Sequence, residues 1–237
     1  MDENDFPARR WLPEHHEWLT RQLADGPGLL CLDWDETCAA GDIGEALIRS
    51  LDENGEVWAS YTSKLESGDV LEAFVDAAAV LSGMDVVEAA AHCRTCVDEA
   101  IRVGDVAVRP EIQDLIRAAE ACSWEVWVVS ASVQPVVAAF ASLYGLASNR
   151  VIGMNLAQEQ GRYLAYLEGP NSYRQGKVDA IEQFIGRQPD LAIGDAMTDL
   201  EMLSFSKKAL VIGPSSSELR RIAHSMGWPI QPVFESI

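Results

Sequence analysis

Reactive side chains follow three short apolar runs of the sequence and begin one helical pattern. The runs are residues 28–32, 125–129 and 191–193, and the helical pattern begins at Gly176. In an open parallel sheet, ligands bind beyond the carboxyl ends of the strands, so we expect these groups to meet. In chain order they are Asp33, Asp35, Thr37, Ser130, Lys177, Asp195 and Asp199.

Together these groups are suited to phosphoryl transfer through a covalent aspartyl phosphate. A carboxylate such as Asp33 attacks phosphorus when a hard cation and fixed donors offset the repulsion between two anions. Asp33 and Asp195 offer the oxygen ligands that Mg²⁺ prefers. Lys177 offers a positive charge, and the hydroxyl of Ser130 offers a hydrogen-bond donor. Asp35 is near the nucleophile but is not bonded to phosphorus. It is therefore placed to protonate the leaving alcohol and then to deprotonate the attacking water.

The elements that must position these groups alternate between strand and helix patterns. The three runs and residues 209–212 are short and continuously apolar, which is typical of buried parallel strands. Helical periodicity between them predicts a doubly wound α/β core resembling a Rossmann fold. The predicted helices of the core are residues 111–121, 135–144, 177–185 and 200–205. Residues 151–154 and 162–167 are predicted to form a hairpin-like pair of strands, and the segment before Gly28 a helix packed on the core.

Residues 44–102 differ from the rest because one helical pattern follows another without a convincing strand. The patterns cover residues 44–51, 57–65, 70–81 and 86–101. We therefore expect an all-helical insertion that covers the strand ends as a lid. The predicted division is an α/β core of residues 1–42 and 103–237 and a helical cap of residues 43–102.

Four segments resemble the ordered motifs of the haloacid dehalogenase superfamily, in particular its phosphoserine-phosphatase-like branch. They are DWDET, VVSAS, GKVDAI and GDAMTD, and the similarity extends over about residues 29–213. One such motif occurs by chance, whereas four in the right order are specific. The helical insertion lies where this branch carries its cap.

The resemblance implies a Mg²⁺-dependent phosphatase and gives each motif residue a role. Asp33 would be the nucleophile and Asp35 the general acid and base, and an acid at position 35 favours phosphatases over dehalogenases. The phosphate-site donors would be Thr37 and Ser130, and Lys177 would neutralise the phosphoryl group. The implied metal site comprises Asp33, Asp35 and Asp195, supported by Asp199.

Asp42 suggests an amine on the substrate, because it aligns with the acid that phosphoserine phosphatases use for the substrate ammonium group. Asp42 also precedes a predicted helix, so it is equally suited to capping that helix. A phosphoserine enzyme further needs a cation in the cap for the substrate carboxylate. The candidates are Lys64, Arg94 and Arg102.

Aromatic side chains leave a second substrate class open. Faces such as those of Trp34, Trp58 and Tyr61 near a carboxylate suit a quaternary ammonium, and DWDET also resembles the first motif of phosphocholine and phosphoethanolamine phosphatases. Trp58 and Tyr61 stand three positions apart on a predicted helix, where aromatic residues usually pack in the core. Arg109, next to Pro110, is expected to anchor the chain as it returns from the cap.

The composition disfavours two classes of partner. The chain has 18 Lys and Arg against 37 Asp and Glu, a net charge of −19, which disfavours nucleic acids and anionic membranes. No run is long enough to span a bilayer, and no leader pattern opens the sequence, so we expect a cytoplasmic protein. The five cysteines are odd in number and scattered, which favours reduced thiols, and Cys93 and Cys96 lack the second pair of ligands of a metal site.

Two other functions stay open. A phosphotransferase would share the first half of the reaction and pass the phosphoryl group to a second alcohol. A regulatory protein on a decayed phosphatase core is disfavoured, because such a protein has no need of both Asp33 and Asp35. The expected partner is a small-molecule phosphomonoester, and the pattern indicates no oligomeric state.

Overall fold

The computed structural model describes residues 6–234, whose centre is a sheet of six parallel strands. Within this range the strands are, in chain order, β1 (Leu29–Leu32), β2 (Ala39–Ala40), β3 (Ala107–Val108), β4 (Glu125–Val133), β5 (Val151–Met154), β6 (Leu156–Glu159), β7 (Arg162–Leu167), β8 (Leu191–Gly194), β9 (Ala209–Ile212) and β10 (Ile230–Gln231). The order across the main sheet is β10-β9-β8-β1-β4-β5. Successive strands are added on both sides of β1, which confirms the predicted doubly wound fold.

Helices cover both faces of this sheet. In chain order they are α1 (Pro13–Ala24), α2 (Ile43–Leu51), α3 (Glu56–Ser67), α4 (Val70–Ala79), α5 (Val86–Val103), α6 (Pro110–Ala121), α7 (Gln134–Ala141), α8 (Gln175–Phe184), α9 (Leu200–Phe205) and α10 (Ser217–Met226). Successive residues of a strand point to opposite faces. Leu30 and Leu32 accordingly join one apolar cluster with α1, α6 and α7, and Leu29 and Cys31 join a second with α8, α9 and α10.

The predicted hairpin is wrong in its pairing. Residues 151–154 form β5, which pairs in parallel with β4 at the edge of the main sheet. The strand that pairs with β7 is β6, and the two are joined by a turn in which Gln160 and Gly161 both have positive φ, 50° and 79°. The sequence pattern did not predict β6, because only the first half of this strand, Leu156 and Ala157, is apolar and buried.

The helical insertion, α2 to α5 with its connecting turns, lies between the short strands β2 and β3. These two strands pair antiparallel, so the chain leaves and re-enters the α/β core at one place. The buried guanidinium of Arg109 donates to the carbonyl oxygens of Glu36 and Thr37, which ties that return to the loop after β1. The exact boundary between core and cap stays a prediction, and residues 1–5 and 235–237 lie outside the described residues.

The helix predicted before Gly28 is confirmed. Helix α1 packs Leu19 and Leu23 into the core. The five cysteines are free, and Cys93 and Cys96 are buried on α5. Within residues 6–234, no helix combines the length and apolarity that crossing a membrane requires. The cytoplasmic location stays a prediction.

Candidate active site

A buried lysine between two carboxylates marks the centre of the site. The Nζ atom of Lys177 lies 2.6 Å from Oδ1 of Asp33 and 2.6 Å from Oδ1 of Asp199. Asp33 follows β1, Asp199 lies in the loop after β8, and Lys177 stands in the first turn of α8. All three are at most 8% exposed. A buried carboxylate pair of this kind requires the ammonium group between its members.

The loop before α8 is fixed to its neighbours, which sets the position of Lys177. The hydroxyl of Ser172 donates to the carbonyl oxygen of Ser130 at 2.5 Å, which joins this loop to β4. The N–H of Arg174 donates to the carbonyl oxygen of Thr198 at 3.2 Å, which joins it to the loop after β8. Lys177 is therefore held by the same two segments that carry other groups of the site.

Asp199 organises the loop that carries Asp195. Its Oδ2 atom accepts the N–H groups of Asp195 and Ala196 at 3.1 and 3.0 Å. A Cβ at position 194 would lie 2.7 Å from this oxygen, so the close approach requires the glycine found there. Thr37 in turn donates its hydroxyl to Oδ1 of Asp195 at 3.2 Å. The first and last motifs thus meet at one edge of the sheet.

Three carboxylates of this centre are placed to surround a cation. Asp33, Asp195 and Asp199 each offer an oxygen, and these atoms all lie within 4.8 Å of one another. Burial, followed by the charge of Asp199, raises the pKa of Asp33 to about 6, and burial, followed by the charge of Asp33, raises that of Asp195 to about 9. Lys177 alone therefore leaves an excess of negative charge. Hard oxygen donors with such an excess fit Mg²⁺.

Asp35 lies apart from that cluster. Its Oδ1 accepts the N–H of Ile43, the first residue of α2, at 2.8 Å, and its Oδ2 accepts the hydroxyl of Ser132 at 2.7 Å. Burial, followed by the charge of Asp42, holds the pKa of Asp35 well above its usual range. A half-buried carboxyl that retains a proton suits the expected acid and base role. The structure does not bring its carboxylate into the group of three that could hold a metal, so a ligand role for Asp35 stays a prediction.

Ser130 and Thr37 are both buried beside these groups. The Oγ of Ser130 accepts the N–H of Ser132 at 3.0 Å, which leaves its hydroxyl proton available to a ligand. Thr37 is oriented by Asp195 as described above. Both side chains lie at the same edge of the sheet as Asp33. Their expected roles as hydrogen-bond donors to a bound phosphate stay predictions.

A second cavity, here called the side pocket, lies between the helical insertion and β4. Its cavity volume is about 10 Å³, and it is lined by Asp42, Tyr61, Phe74 and Ser132 together with small or aliphatic residues. Asp42 caps α2, since its Oδ1 accepts the N–H of Glu45 at 2.8 Å. The capping interpretation is therefore confirmed, and the same carboxylate also faces the pocket.

Several residues predicted to select the substrate lie elsewhere. Trp34 is fully buried, with its ring edge-on to Phe140 and Tyr144, so it belongs to the core and offers no face to a ligand. The cation candidates also lie away from the side pocket. Lys64 pairs with Asp76, Arg102 pairs with Glu99, and Arg94 lines a different surface groove.

The sequence analysis gave no role to one residue of the site and favoured a packing role for another. Ser132 holds Asp35, and only its place two residues after Ser130 hinted at a role. Tyr61 was expected to pack in the core, and it is indeed 3% exposed, yet its side chain also lines the side pocket. Burial, followed by the charge of Asp42, raises the pKa of Tyr61. A helical period cannot distinguish a core position from a buried pocket wall.

Comparison with known proteins gives one family and several relatives. The model of the family described as haloacid dehalogenase-like hydrolase matches residues 30–204. A Mycobacterium tuberculosis protein named a probable phosphatase is 30% identical over 155 residues, which are 63% of this chain and 51% of that protein. The matched region therefore spans about half the length of this curated relative.

Two solved structures share the fold. A conserved protein of unknown function from Anaerococcus prevotii superposes with a TM-score of 0.78 at 17% identity, covering 97% of this chain and 94% of that one. A probable phosphoserine phosphatase from Vibrio cholerae superposes with a TM-score of 0.61 at 16% identity, covering 89% of this chain and 67% of the other. This chain thus shares its fold with the probable phosphoserine phosphatase.

Proposed function

This chain belongs to the haloacid dehalogenase-like hydrolase family, and we propose that it is a Mg²⁺-dependent phosphatase that hydrolyses a small phosphomonoester. The observation that carries the proposal is the buried centre in which Lys177 lies 2.6 Å from both Asp33 and Asp199. This arrangement combines a nucleophile, a fixed positive charge and an oxygen-rich cation site at the carboxyl ends of parallel strands. The M. tuberculosis relative named a probable phosphatase supports the same class of reaction.

In the first half of the proposed reaction, a carboxylate oxygen of Asp33 attacks phosphorus. The new bond joins Asp33 to phosphorus, the ester bond to the alcohol breaks, and Asp35 gives its proton to the leaving oxygen. In the second half, Asp35 takes a proton from water, whose oxygen attacks phosphorus. The bond to Asp33 then breaks, and inorganic phosphate leaves.

The surrounding residues stabilise charge during these steps. Lys177 compensates the negative charge that gathers between the phosphoryl group and the carboxylates. Asp33 and Asp195 would hold Mg²⁺, with Asp199 orienting the loop of Asp195. The ion supplies electrostatic stabilisation of the phosphoryl oxygens when it is bound. Ser130 and Thr37 would donate hydrogen bonds to the same group.

The alcohol part of the substrate would lie toward the side pocket and carry an amine. Ser132 supports this direction, because it lines the pocket and also bonds to Asp35, the proposed acid. Asp42 offers a carboxylate to an ammonium group on that side.

A phosphate-release screen in the presence of Mg²⁺ tests the proposal. The panel comprises amine-bearing phosphomonoesters, sugar phosphates, nucleotides and p-nitrophenyl phosphate, with Asp33→Asn as the blank. We expect release from several esters and a phosphorylated protein that can be trapped at low pH and detected by intact mass. A protein that binds Mg²⁺ but hydrolyses nothing above the blank would overturn the proposal in favour of a regulatory role. Transfer to added alcohols would identify a phosphotransferase.

A further inference from the structure

The loop after β1, residues 33–38 and here called the nucleophile loop, contains a tight turn. The carbonyl oxygen of Trp34 accepts three backbone N–H groups at 3.2, 2.7 and 3.1 Å, those of Thr37, Cys38 and Ala39. Glu36, inside this turn, has a φ of 57°, which lies in the left-handed region that residues with a Cβ rarely adopt. Such a conformation persists only where the surrounding structure holds it.

Two buried side chains hold this turn by three successive carbonyl oxygens. Nη1 of Arg109 donates to the carbonyl oxygens of Glu36 and Thr37, the latter at 3.0 Å. The hydroxyl of Tyr144 donates to the carbonyl oxygen of Cys38 at 2.5 Å, and its oxygen accepts the N–H of Arg109 at 2.9 Å. Arg109 is 3% exposed and Tyr144 is 2% exposed, so water has little access to these bonds.

The guanidinium of Arg109 also holds the side chain of Glu36. Its Nη2 lies 3.1 Å from Oε2 of Glu36, whose Oε1 accepts the N–H of Gly41 at 3.0 Å. Arg109 therefore contacts both the backbone and the side chain of the residue with positive φ. A lysine has a single nitrogen at the end of a flexible chain, so it cannot reach these acceptors in the fixed geometry of a planar guanidinium.

The nucleophile loop also carries three groups of the proposed reaction. Asp33 and Asp35 stand on either side of Trp34, and the hydroxyl of Thr37 donates to Asp195. Within the described chain, the hydrogen bonds of the Arg109 guanidinium go to the loop backbone and to the Glu36 side chain. Arg109 is thus placed to affect these groups through the backbone that carries them.

We propose that Arg109, supported by Tyr144, is a positioning residue of the reaction, because it holds the nucleophile loop in the arrangement that aligns Asp33 and Asp35 with the phosphoryl group. This inference rests on the proposed phosphatase function. The attacking and leaving oxygens must lie roughly in line at phosphorus. A displacement of about 1 Å in such a geometry costs about 10²-fold in rate.

Arg109→Lys tests the inference, because it keeps the positive charge and removes the planar guanidinium. With Mg²⁺ and p-nitrophenyl phosphate, we expect kcat to fall by about 10²-fold. KM should stay within about threefold of the wild-type value, since Arg109 does not contact the substrate. A wild-type kcat overturns the inference, and so does a loss that appears in KM alone.

Tyr144→Phe is a second and milder variant. It keeps the ring beside Trp34 and removes the hydroxyl that joins Arg109 to Cys38. We expect kcat to fall by about tenfold. If Arg109→Lys does not fold, this variant decides the question alone, and a wild-type kcat in it overturns the inference.

The double variant Arg109→Lys/Tyr144→Phe tests whether both side chains act through the same loop. Independent effects multiply, whereas residues that share one element couple. We therefore expect the double variant to be only slightly slower than Arg109→Lys. A loss of about 10³-fold, which is the product of the two single losses, would contradict the supporting role of Tyr144.

A destabilised control separates positioning from packing. Leu23 is buried on α1, and its carbonyl oxygen accepts the N–H of the Trp124 ring just before β4, at the opposite end of the strands from the nucleophile loop. Leu23→Ala should lower the unfolding temperature through a cavity and leave kcat near wild type at temperatures where the protein is folded. An equal fall of kcat in Leu23→Ala and Arg109→Lys would assign Arg109 to stability alone and overturn the inference.

The wild-type measurement distinguishes this inference from the proposed function. Hydrolysis of p-nitrophenyl phosphate by wild type, together with a wild-type kcat in both loop variants, overturns the inference and preserves the proposed function. Failure of wild type to hydrolyse any ester of the phosphate-release screen overturns both.

Discussion

The core centre and the side pocket differ in how completely their polar groups are paired. In the core, Lys177 bonds two carboxylates, Asp199 accepts two backbone N–H groups, and Asp195 accepts the Thr37 hydroxyl. In the side pocket, the Tyr61 ring packs against Trp58 and Phe74, and its hydroxyl makes no hydrogen bond within residues 6–234. The difference indicates that the groups proposed for the chemistry are positioned before a substrate arrives, whereas those proposed for selection await one.

The two regions also differ in which elements supply them. The core groups follow β1 and β8, lie within β4 or stand at the beginning of α8, and one sheet holds these strands in register. The side pocket joins helices of the insertion to β4, so its shape depends on how two layers meet. Changes in the core should therefore affect the rate for every substrate, and changes in the pocket should affect the choice among substrates.

The largest expected effect is that of Asp33→Asn. The amide keeps the shape of the side chain but removes the nucleophile's charge, so we expect kcat to fall by about 10⁴-fold or more for every substrate alike. Circular dichroism and thermal unfolding check that the fold persists. A wild-type rate in this variant would contradict the proposed mechanism, and a loss confined to one substrate would contradict the division between the two regions.

Replacement of the lysine comes next. Lys177→Met fills similar space but leaves Asp33 and Asp199 buried without their cation. We expect kcat to fall by about 10³-fold and the free energy of unfolding to fall by about 3 kcal/mol, measured by urea denaturation. The control is Lys207→Met, which removes an exposed lysine paired with Asp190. Equal stability of the two variants would show that Lys177 does not hold the core centre together.

Removal of the metal should produce a loss that depends on pH. Excess chelator should stop turnover, and added Mg²⁺ should restore it. The pKa values of Asp33 and Asp195 are raised to about 6 and about 9, in both cases first by burial and then by a neighbouring carboxylate, Asp199 for Asp33 and Asp33 for Asp195. Mg²⁺ must displace these protons, so its apparent affinity should rise with pH between about 6 and 9, by up to about tenfold per pH unit. Titration calorimetry at several pH values measures this rise.

The stability of the metal-free protein should fall as the pH rises, whereas the apparent affinity for Mg²⁺ should increase. A carboxyl whose pKa is raised in the folded state binds its proton more tightly there than in the unfolded chain. The stabilisation of the folded state by such a carboxyl is therefore present at low pH, and it is lost as the pH rises from about 4 to about 9. Unfolding temperatures with chelator should fall across this window, and added Mg²⁺ should suppress the fall. An unfolding temperature that rises with pH would contradict this prediction. It would mean that more positive charge than that of Lys177 offsets the negative charge of these carboxylates.

The sequence predicted the core better than the pocket for a physical reason. Buried parallel strands are continuously apolar, so β1, β4, β8 and β9 were recognisable, and the motif residues directly follow or lie within them. The hairpin was misassigned because β6 is apolar over only half its length. The hydrogen bond between Ser132 and Asp35 joins two separate elements, and so does the cavity that Tyr61 lines. The periodicity of one helix or strand does not predict contacts between elements.

The smallest expected effect concerns the contact that joins the two regions. Phe74 on α4 lies 5.8 Å, centre to centre, from Tyr173 in the loop before α8. An aromatic pair of this kind contributes about 0.5–1.5 kcal/mol. Phe74→Leu should therefore raise KM by a few-fold and leave kcat near wild type, because the side chain touches no group of the core centre. Phe184→Leu, at an exposed position on α8, is the control. A lower kcat with an unchanged KM would show that the insertion positions Lys177 through this loop, so that the two regions would act as one.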